Sequence, residues 1–596
     1  MQEQQPQQYK SIEAIMALYD KKDCKLPDYH IIASSLFADV SEDEKKCPEW
    51  VFETTACNVV DDPQGNNNWE GEYFAPLYRH TINEEERVVP AHDTINADAV
   101  QYWNRRISET ENAMMRARYA GLVWEYGNLA GIKRTGELQK VYVESLVDIA
   151  NDEVCDDVWI AQKYLRRGLM LSVTRSDLSQ KVKEAFRMVN ARSKDCQPGI
   201  WGVFYKMLLE CPKAFSNEET EALLLDGEKR LERLAAKSAK NEDGVTPDIV
   251  KQLAEILAEY YNRNKKTADR DRVLGIAEAV HRQHFDGMSA SLRFYMLQGI
   301  KAMYNAMGNY DHDDALIVEM QKEGKGMIAE MEPHEFAVEI PNEQWEEMKR
   351  QLTEGEEELQ RAMFVYQFIP KKKALDERMK KEAVQYPLMY MMQNQFMTSE
   401  GLPLSVVGGV ENDEEGRLIH YTAQHISFES VILHQVIEWH LESGVLSNEY
   451  IMNHIKSGPV FDESRYEIIE KGLRFYNDHE YDVACHLWMP QIEAAICKLQ
   501  MMESHRVLRA QVKRDDKGVR KIGKGYQMRL LDELLGDASL LEIIGEDVSF
   551  YLRVLLTEQR GLNYRNELCH GIEAPSRFGQ ACADRLLHVL IMLGNY

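Results

Sequence analysis

The sequence predicts a mainly α protein: a multi-helix N-terminal region and a C-terminal helical bundle, with one or two small β-hairpins. Apolar residues recur at spacings of three and four along most of the chain. Short Gly/Pro/Asn/Asp stretches cut that pattern into helix-length pieces, and strand-like alternation is confined to two places. At 596 residues the chain is several times the usual domain size, so two to four units with sizeable cores are expected. A content of 44% hydrophobic and 28% charged residues excludes global disorder.

In chain order, the Gln-rich first eight residues read as a frayed tail. AVQYWNRRISETENAMMRARYAGLVWEYG (99 to 127) and EETEALLLDGEKRLERLAAKS (218 to 238) read as amphipathic helices. DDPQGNNNWEG (61 to 71), CQPG (196 to 199) and NEDG (241 to 244) supply turn and capping chemistry between helices. No fixed period of 30 to 45 residues with recurring landmarks is present, which leaves an irregular helical array. Asp311-His312-Asp313-Asp314 reads as an N-cap with acidic first-turn residues ahead of an apolar helix.

A long helix is expected from about 342 to 368, and a boundary where IPKKKALDERMKK (369 to 381) brings a proline and a dense charge cluster. The Met-rich YPLMYMMQNQFM (386 to 397) is assigned to core packing, with an adaptable contact surface as the other reading. GLPLSVVGGVENDEEGRLIHYTA (401 to 423) carries the clearest strand signal and predicts a hairpin around its turn-rich centre. Helices resume near 427. The expected organisation is an N-terminal helical region over 1–370, a connecting helical region with a hairpin over 371–465, and a terminal bundle over 466–596.

Several classes are excluded or disfavoured. No run approaches 18 consecutive apolar residues, and MQEQQPQQYKSIEA has neither a basic nor an apolar leader segment, so a cytoplasmic protein without membrane attachment is expected. The ten cysteines show no CxxC pair and no Cys/His ligand spacing, which predicts free thiols and no structural metal. No cofactor is expected. A net charge of −27 repels nucleic acid, so a local reversal of sign is informative.

Such a reversal lies between Arg506 and Arg529: nine cations against Asp515 and Asp516 give a net +7 over 24 residues. The alternation in VLRAQVKRDDKGVRKI predicts a two-stranded ribbon centred on Asp516-Lys517-Gly518. Arg506, Arg509, Lys513, Arg514, Arg520, Lys521 and Lys524 are its candidate RNA-binding residues, against the plainer reading of a solvated surface loop. Within it, Gly518-x4-Gly523-Lys524 imitates a phosphate-binding loop. Gly525 stands where Ser or Thr is required and no buried strand precedes it, so nucleotide hydrolysis is not expected.

The residues that carry chemistry are Arg565-Asn566-Glu567-Leu568-Cys569-His570-Gly571. An arginine followed four to six residues later by histidine arises by chance roughly two or three times in such a chain, whereas Arg-Asn-x3-His has an expectation of about a few hundredths. Asn563 is expected as N-cap, Tyr564 to His570 as a short helix, Gly571 as a left-handed C-cap, and Pro575 as the start of the next helix. On that helix Asn566 and His570 share a face, while Arg565 and His570 lie about 140° apart, so either Arg565 curls toward the helix end or a symmetric partner supplies the matching group. An imidazole can move the 2′-hydroxyl or 5′-oxygen proton, an arginine fork can hold the phosphate, and Asn566 would orient one of them.

On the upstream helix, His486 and Glu493 are seven apart and share a face, with Pro490 between them as an expected kink; they are possible supporting residues, or an ordinary surface histidine and glutamate. His434, Glu438 and His440 form no metal-ligand pattern and read as ordinary helix residues. Cys569 reads as a core cysteine before it reads as a reactive thiol.

GLNYRNELCHGI (561 to 572), preceded by MRLLDELLGD (528 to 537) and HLWMPQIEAAICKL (486 to 499), resembles the HEPN-type ribonuclease domains, in the branch that includes a protein linked to RNA degradation at the endoplasmic reticulum. The resemblance covers roughly the last 130 residues. It implies a dimeric bundle of four or five helices and a metal-independent endoribonuclease in which Arg565 and His570 are catalytic and Asn566 supports them. It further implies a role in phage defence or as a toxin. Cys497 and Lys498 stand where an upstream arginine belongs to the pattern. The expected partners are RNA, a second copy through the C-terminal bundle, and a protein regulator on the N-terminal helices. The rival reading is a non-catalytic helical scaffold or an RNA-binding module of the same fold.

Overall fold

Helix-period patterning without long strand runs should give helices packed on helices, and it does: the computed structural model is 71% helix and 5% strand. It describes residues 9–26, 28–62, 69, 73–82, 85–150, 157–332, 340–503, 505–514 and 520–596. The expected N-terminal tail lies outside them. The chain divides into two compact units, one reaching to Met288 with Gly299–His312, the other Ser289–Gln298 with Asp313–Tyr596.

In the first unit successive helices from Ala97–Glu109 to Thr267–Gln283 pack on one another. The 99 to 127 stretch forms two helices, because the Asn112 carboxamide accepts from the Met114 and Met115 amides (3.0 and 3.2 Å) and starts a new one. Asn217–Ala239 opens with a capping box in which Ser216 and Glu219 satisfy each other's amides. Four two-stranded antiparallel sheets occur among the described residues, more than the one or two hairpins expected. Two lie in this unit, Val59–Asp61 with Phe74–Pro76 and Tyr78–Ile82 with Glu85–Val89, built of strands too short to show a period of two.

The second unit departs from expectation in four places. The 342 to 368 helix is two, Asn342–Thr353 and Glu357–Gln367, broken at Gly355, whose φ of 112° suits only glycine. Asn394–Met397 pairs with Pro403–Val407, so the hairpin lies upstream of the Gly408-Gly409 turn, and Arg417 to Ala423 belong to the Glu414–Ser443 helix. Leu388, Met389, Met391 and Met392 are exposed, with only Tyr390 of that run in the core. Finally, the expected boundaries at 370 and 465 fall inside this unit. Phe364, Ile426, Ile469, Trp488, Leu552 and Leu590 belong to one hydrophobic core.

At the centre of that core runs Gln580–Leu593, packed against Glu414–Ser443 and Tyr481–Met502. Its buried Arg585 donates to the Ser430 hydroxyl and to the Phe368 and Ile426 carbonyls (2.9, 3.2 and 2.8 Å). One turn on, His588 donates from Nε2 to the Val365 carbonyl (2.9 Å) and accepts at Nδ1 from the Tyr551 hydroxyl (3.2 Å). Burial, assisted by Arg585, pushes its pKa from 6.5 down to about 3. The native unit therefore holds His588 neutral at pH values where the unfolded chain binds a proton, and stability present above pH 6.5 is lost as pH falls. We expect His588 to account for about 2 kcal/mol less stability at pH 5 than at pH 7. Denaturant unfolding at both pH values checks this, the His588→Asn protein lacking that share of the slope.

Candidate active site

The motif segment follows the Glu546–Leu556 helix through a loop closed by the Leu562 amide on the Val554 carbonyl (2.8 Å). Tyr564–His570 then forms the short helix expected, with Tyr564, Glu567 and Leu568 on its buried face. Gly571 is left-handed (φ 61°) and the Ile572 amide reaches back to the Glu567 carbonyl (3.0 Å), which stops the helix after His570.

Asn563 does not cap this helix through its side chain. It is buried and itself left-handed (φ 52°, ψ 23°), a conformation asparagine tolerates, and its Oδ1 accepts from Asn566 Nδ2 (2.8 Å). Asn566 Nδ2 donates also to the Thr557 carbonyl (3.2 Å), leaving its Oδ1 for Arg565 Nη1 (3.1 Å). Arg565 grips Glu493 with Nε and Nη2 (3.0 and 3.2 Å), the fork geometry of a charge-assisted pair. Three of its five N–H donors are thus engaged. Burial opposes the charge on Arg565, but Glu493 and Asp532 favour it, and the guanidinium is held charged.

His570 is exposed in the last turn and, among the described residues, its ring has no hydrogen-bond partner. Its neighbour Cys569 is exposed and not in the core. Partial burial of the thiol raises its pKa, against a smaller opposing effect of Arg565, so the reactive thiolate is disfavoured.

Of the two upstream candidates, only Glu493 meets the motif. His486, also exposed, donates from Nδ1 to the Asp482 carbonyl (2.7 Å) and lies edge-on to Phe578 at 6.0 Å. Both sit on Tyr481–Met502, which remains helical through Pro490. Lys498 pairs with Asp462 (2.9 Å).

The basic segment forms the expected ribbon, Leu508–Arg514 antiparallel to Arg520–Met528. Gly523 and Lys524 are strand residues, which removes the phosphate-loop imitation. Arg506 is exposed, whereas Arg509 is ion-paired with Glu533. The side chains of Lys513, Arg514, Arg520, Lys521 and Lys524 lie outside what the structure describes, as do residues 515–519 altogether.

Several contributors carried no sequence signal. Asp532 and Asn563 act on Arg565 directly or through Asn566. Ser399 grips Glu573 (3.0 and 2.6 Å) and Ser405 the Gln559 carbonyl (2.9 Å), so the Asn394–Val407 hairpin flanks the motif on both sides. His434 makes a tertiary contact as well: its Nδ1 lies 3.0 Å from the buried Asp584 carboxylate, which also accepts from Tyr476. Burial raises the pKa of Asp584, and His434 and Tyr476 counter it. In the N-terminal unit a cavity of about 1140 Å³ is lined by Phe204, Phe215 and Arg187, with Arg230, Arg233 and Lys237 converging on Asp195 (3.3, 2.9 and 2.8 Å).

Among the described residues no cluster of three or more His, Cys, Asp or Glu side chains is placed to hold a metal ion, and no helix is long and apolar enough to cross a membrane. The chain matches no protein-family model, no curated protein and no solved structure.

Proposed function

We propose that the C-terminal unit is an endoribonuclease of the HEPN type that cleaves RNA without a metal ion. The observation that carries this reading is the division of labour on one short helix. Arg565 is held by Glu493 and Asn566 with two N–H donors uncommitted among the described residues, and His570 stands exposed at the helix end. Those two donors match two phosphate oxygens, where negative charge grows during in-line attack.

In the reaction the 2′-hydroxyl gives up its proton as O2′ attacks phosphorus. The bond to O5′ then breaks, and O5′ takes a proton. The products are a 2′,3′-cyclic phosphate and a 5′-hydroxyl. His570 performs one of the two proton transfers in a turnover, and a second acid–base group is needed for the other. On an ideal helix residues five apart, as Arg565 and His570 are, lie about 140° from each other, so the second group would come most economically from the motif of a twofold-related copy joined through the bundle. Helices of the N-terminal unit would then restrain or place the substrate. Purified protein incubated with total RNA in EDTA should fragment it; RNA left intact at concentrations where the protein is dimeric would refute the reading.

One observation favours the non-catalytic alternative. The Arg565–Glu493 pair is also what a structural ion pair between neighbouring helices looks like. Under that reading removing either residue changes stability alone.

A further inference from the structure

We propose that the Leu508–Arg514/Arg520–Met528 ribbon takes single-stranded RNA, with a base stacked on Tyr526 and the ribbon's cations on the phosphates. The inference deepens the ribonuclease reading and rests on it.

The register places Leu508 opposite Met528 and Ala510 opposite Tyr526, so these four share one face. That face is bare: Leu508 is 43%, Met528 51% and Tyr526 77% exposed. A two-stranded ribbon gains no stability from an uncovered apolar row, and a tyrosine so exposed offers both ring faces to a planar partner. The opposite face carries Arg509, tied to Glu533, and Gln527, so the ribbon is braced from one side and open on the other. Toward its tip the register sets Lys513 directly across from Lys521 and Arg514 across from Arg520. Both strands thus contribute cations to the same end of the ribbon's sequence, and a polyanion is the partner that suits them.

An apolar row beside cations fits a chain with phosphates and unpaired bases. A duplex buries its base faces and has no ring to lend. An acidic lipid surface is the other polyanion with apolar parts. A membrane-inserting hairpin would carry apolar residues between its strands, whereas the sequence between these two begins Asp515-Asp516-Lys517-Gly518. The root of the ribbon also leads to the motif. Arg529 holds the Arg506 and Glu533 carbonyls (3.0 and 2.9 Å) at the start of Leu531–Leu535, and that helix packs against Tyr481–Met502, which carries Glu493.

The test is fluorescence anisotropy on the full-length His570→Ala protein, which leaves RNA intact and separates binding from cleavage. Probes are a short labelled single strand, its duplex, and phosphatidylserine vesicles. Tyr526→Ala should weaken the single strand by roughly ten- to a hundredfold, Tyr526→Trp should retain it, and the duplex should bind weakly to both. Lys521→Glu, which reverses one of the ribbon's charges, should lower affinity for the single strand. Unchanged single-strand affinity in Tyr526→Ala or Lys521→Glu, equal binding of the duplex, vesicles that displace the RNA, or no RNA binding at all would each overturn the proposal. Wild-type cleavage would still stand if only the ribbon failed, and ribbon binding would still stand if only cleavage failed.

Discussion

The His570→Ala protein is expected to cleave RNA roughly 10²- to 10⁴-fold more slowly than wild type while melting at the same temperature. The kinetic loss is that of one general acid–base group. The unchanged stability follows from the structure: the ring is exposed and, among the described residues, unpartnered, so its removal creates no cavity and strands no polar group. Gly571 and the Ile572 amide close the helix through backbone alone and remain in the variant. Circular dichroism melts beside single-turnover cleavage measure both halves. A rate within a factor of two of wild type would remove His570 from the chemistry.

The second large effect concerns the guanidinium and its buttress. Arg565→Ala should cost roughly 10²- to 10³-fold in rate, the loss of donors aimed at developing charge. Arg565→Lys should not restore it, because an ammonium cannot hold Glu493 with two donors and still present a fork to the phosphate. Glu493→Gln should lower kcat by roughly tenfold with KM little changed, since Arg565 keeps its charge but loses its fixed orientation. The pair is 19% and 29% exposed, so its loss should cost only about 1 kcal/mol of stability. A faster Glu493→Gln enzyme would make Glu493 a restraint on Arg565; loss of stability with no change in rate would favour the scaffold.

Most of the architecture was readable from the sequence because the helices are amphipathic and punctuated by turn residues. What was missed has physical causes. The 342 to 368 helix broke at Gly355, where apolar spacing continues across a residue that adopts positive φ. Strands of three to five residues show too little alternation to be seen, and Pro403–Val407 found its partner upstream because the Glu414–Ser443 helix claims the residues that follow. Region boundaries at 370 and 465 were not legible, since charge clusters mark surface turns whether or not a core ends there. The short helix, its glycine stop and the candidacy of Glu493 followed from local spacing. Asn563 misled because asparagine suits both a cap and a left-handed turn, and only the Asn566 hydrogen bond distinguishes them. Asp532, Tyr526 and the Asp584–His434 contact depend on register and on helices far apart in sequence.

The most direct test of the central claim is the identity of the new ends produced when the wild-type protein, in EDTA and over a range of protein concentrations, meets a labelled single-stranded RNA. The expected products carry 2′,3′-cyclic phosphate and 5′-hydroxyl ends, absent with His570→Ala. Ends bearing a 5′-phosphate, cleavage that needs a divalent cation, or the same fragments from the His570→Ala protein would contradict it.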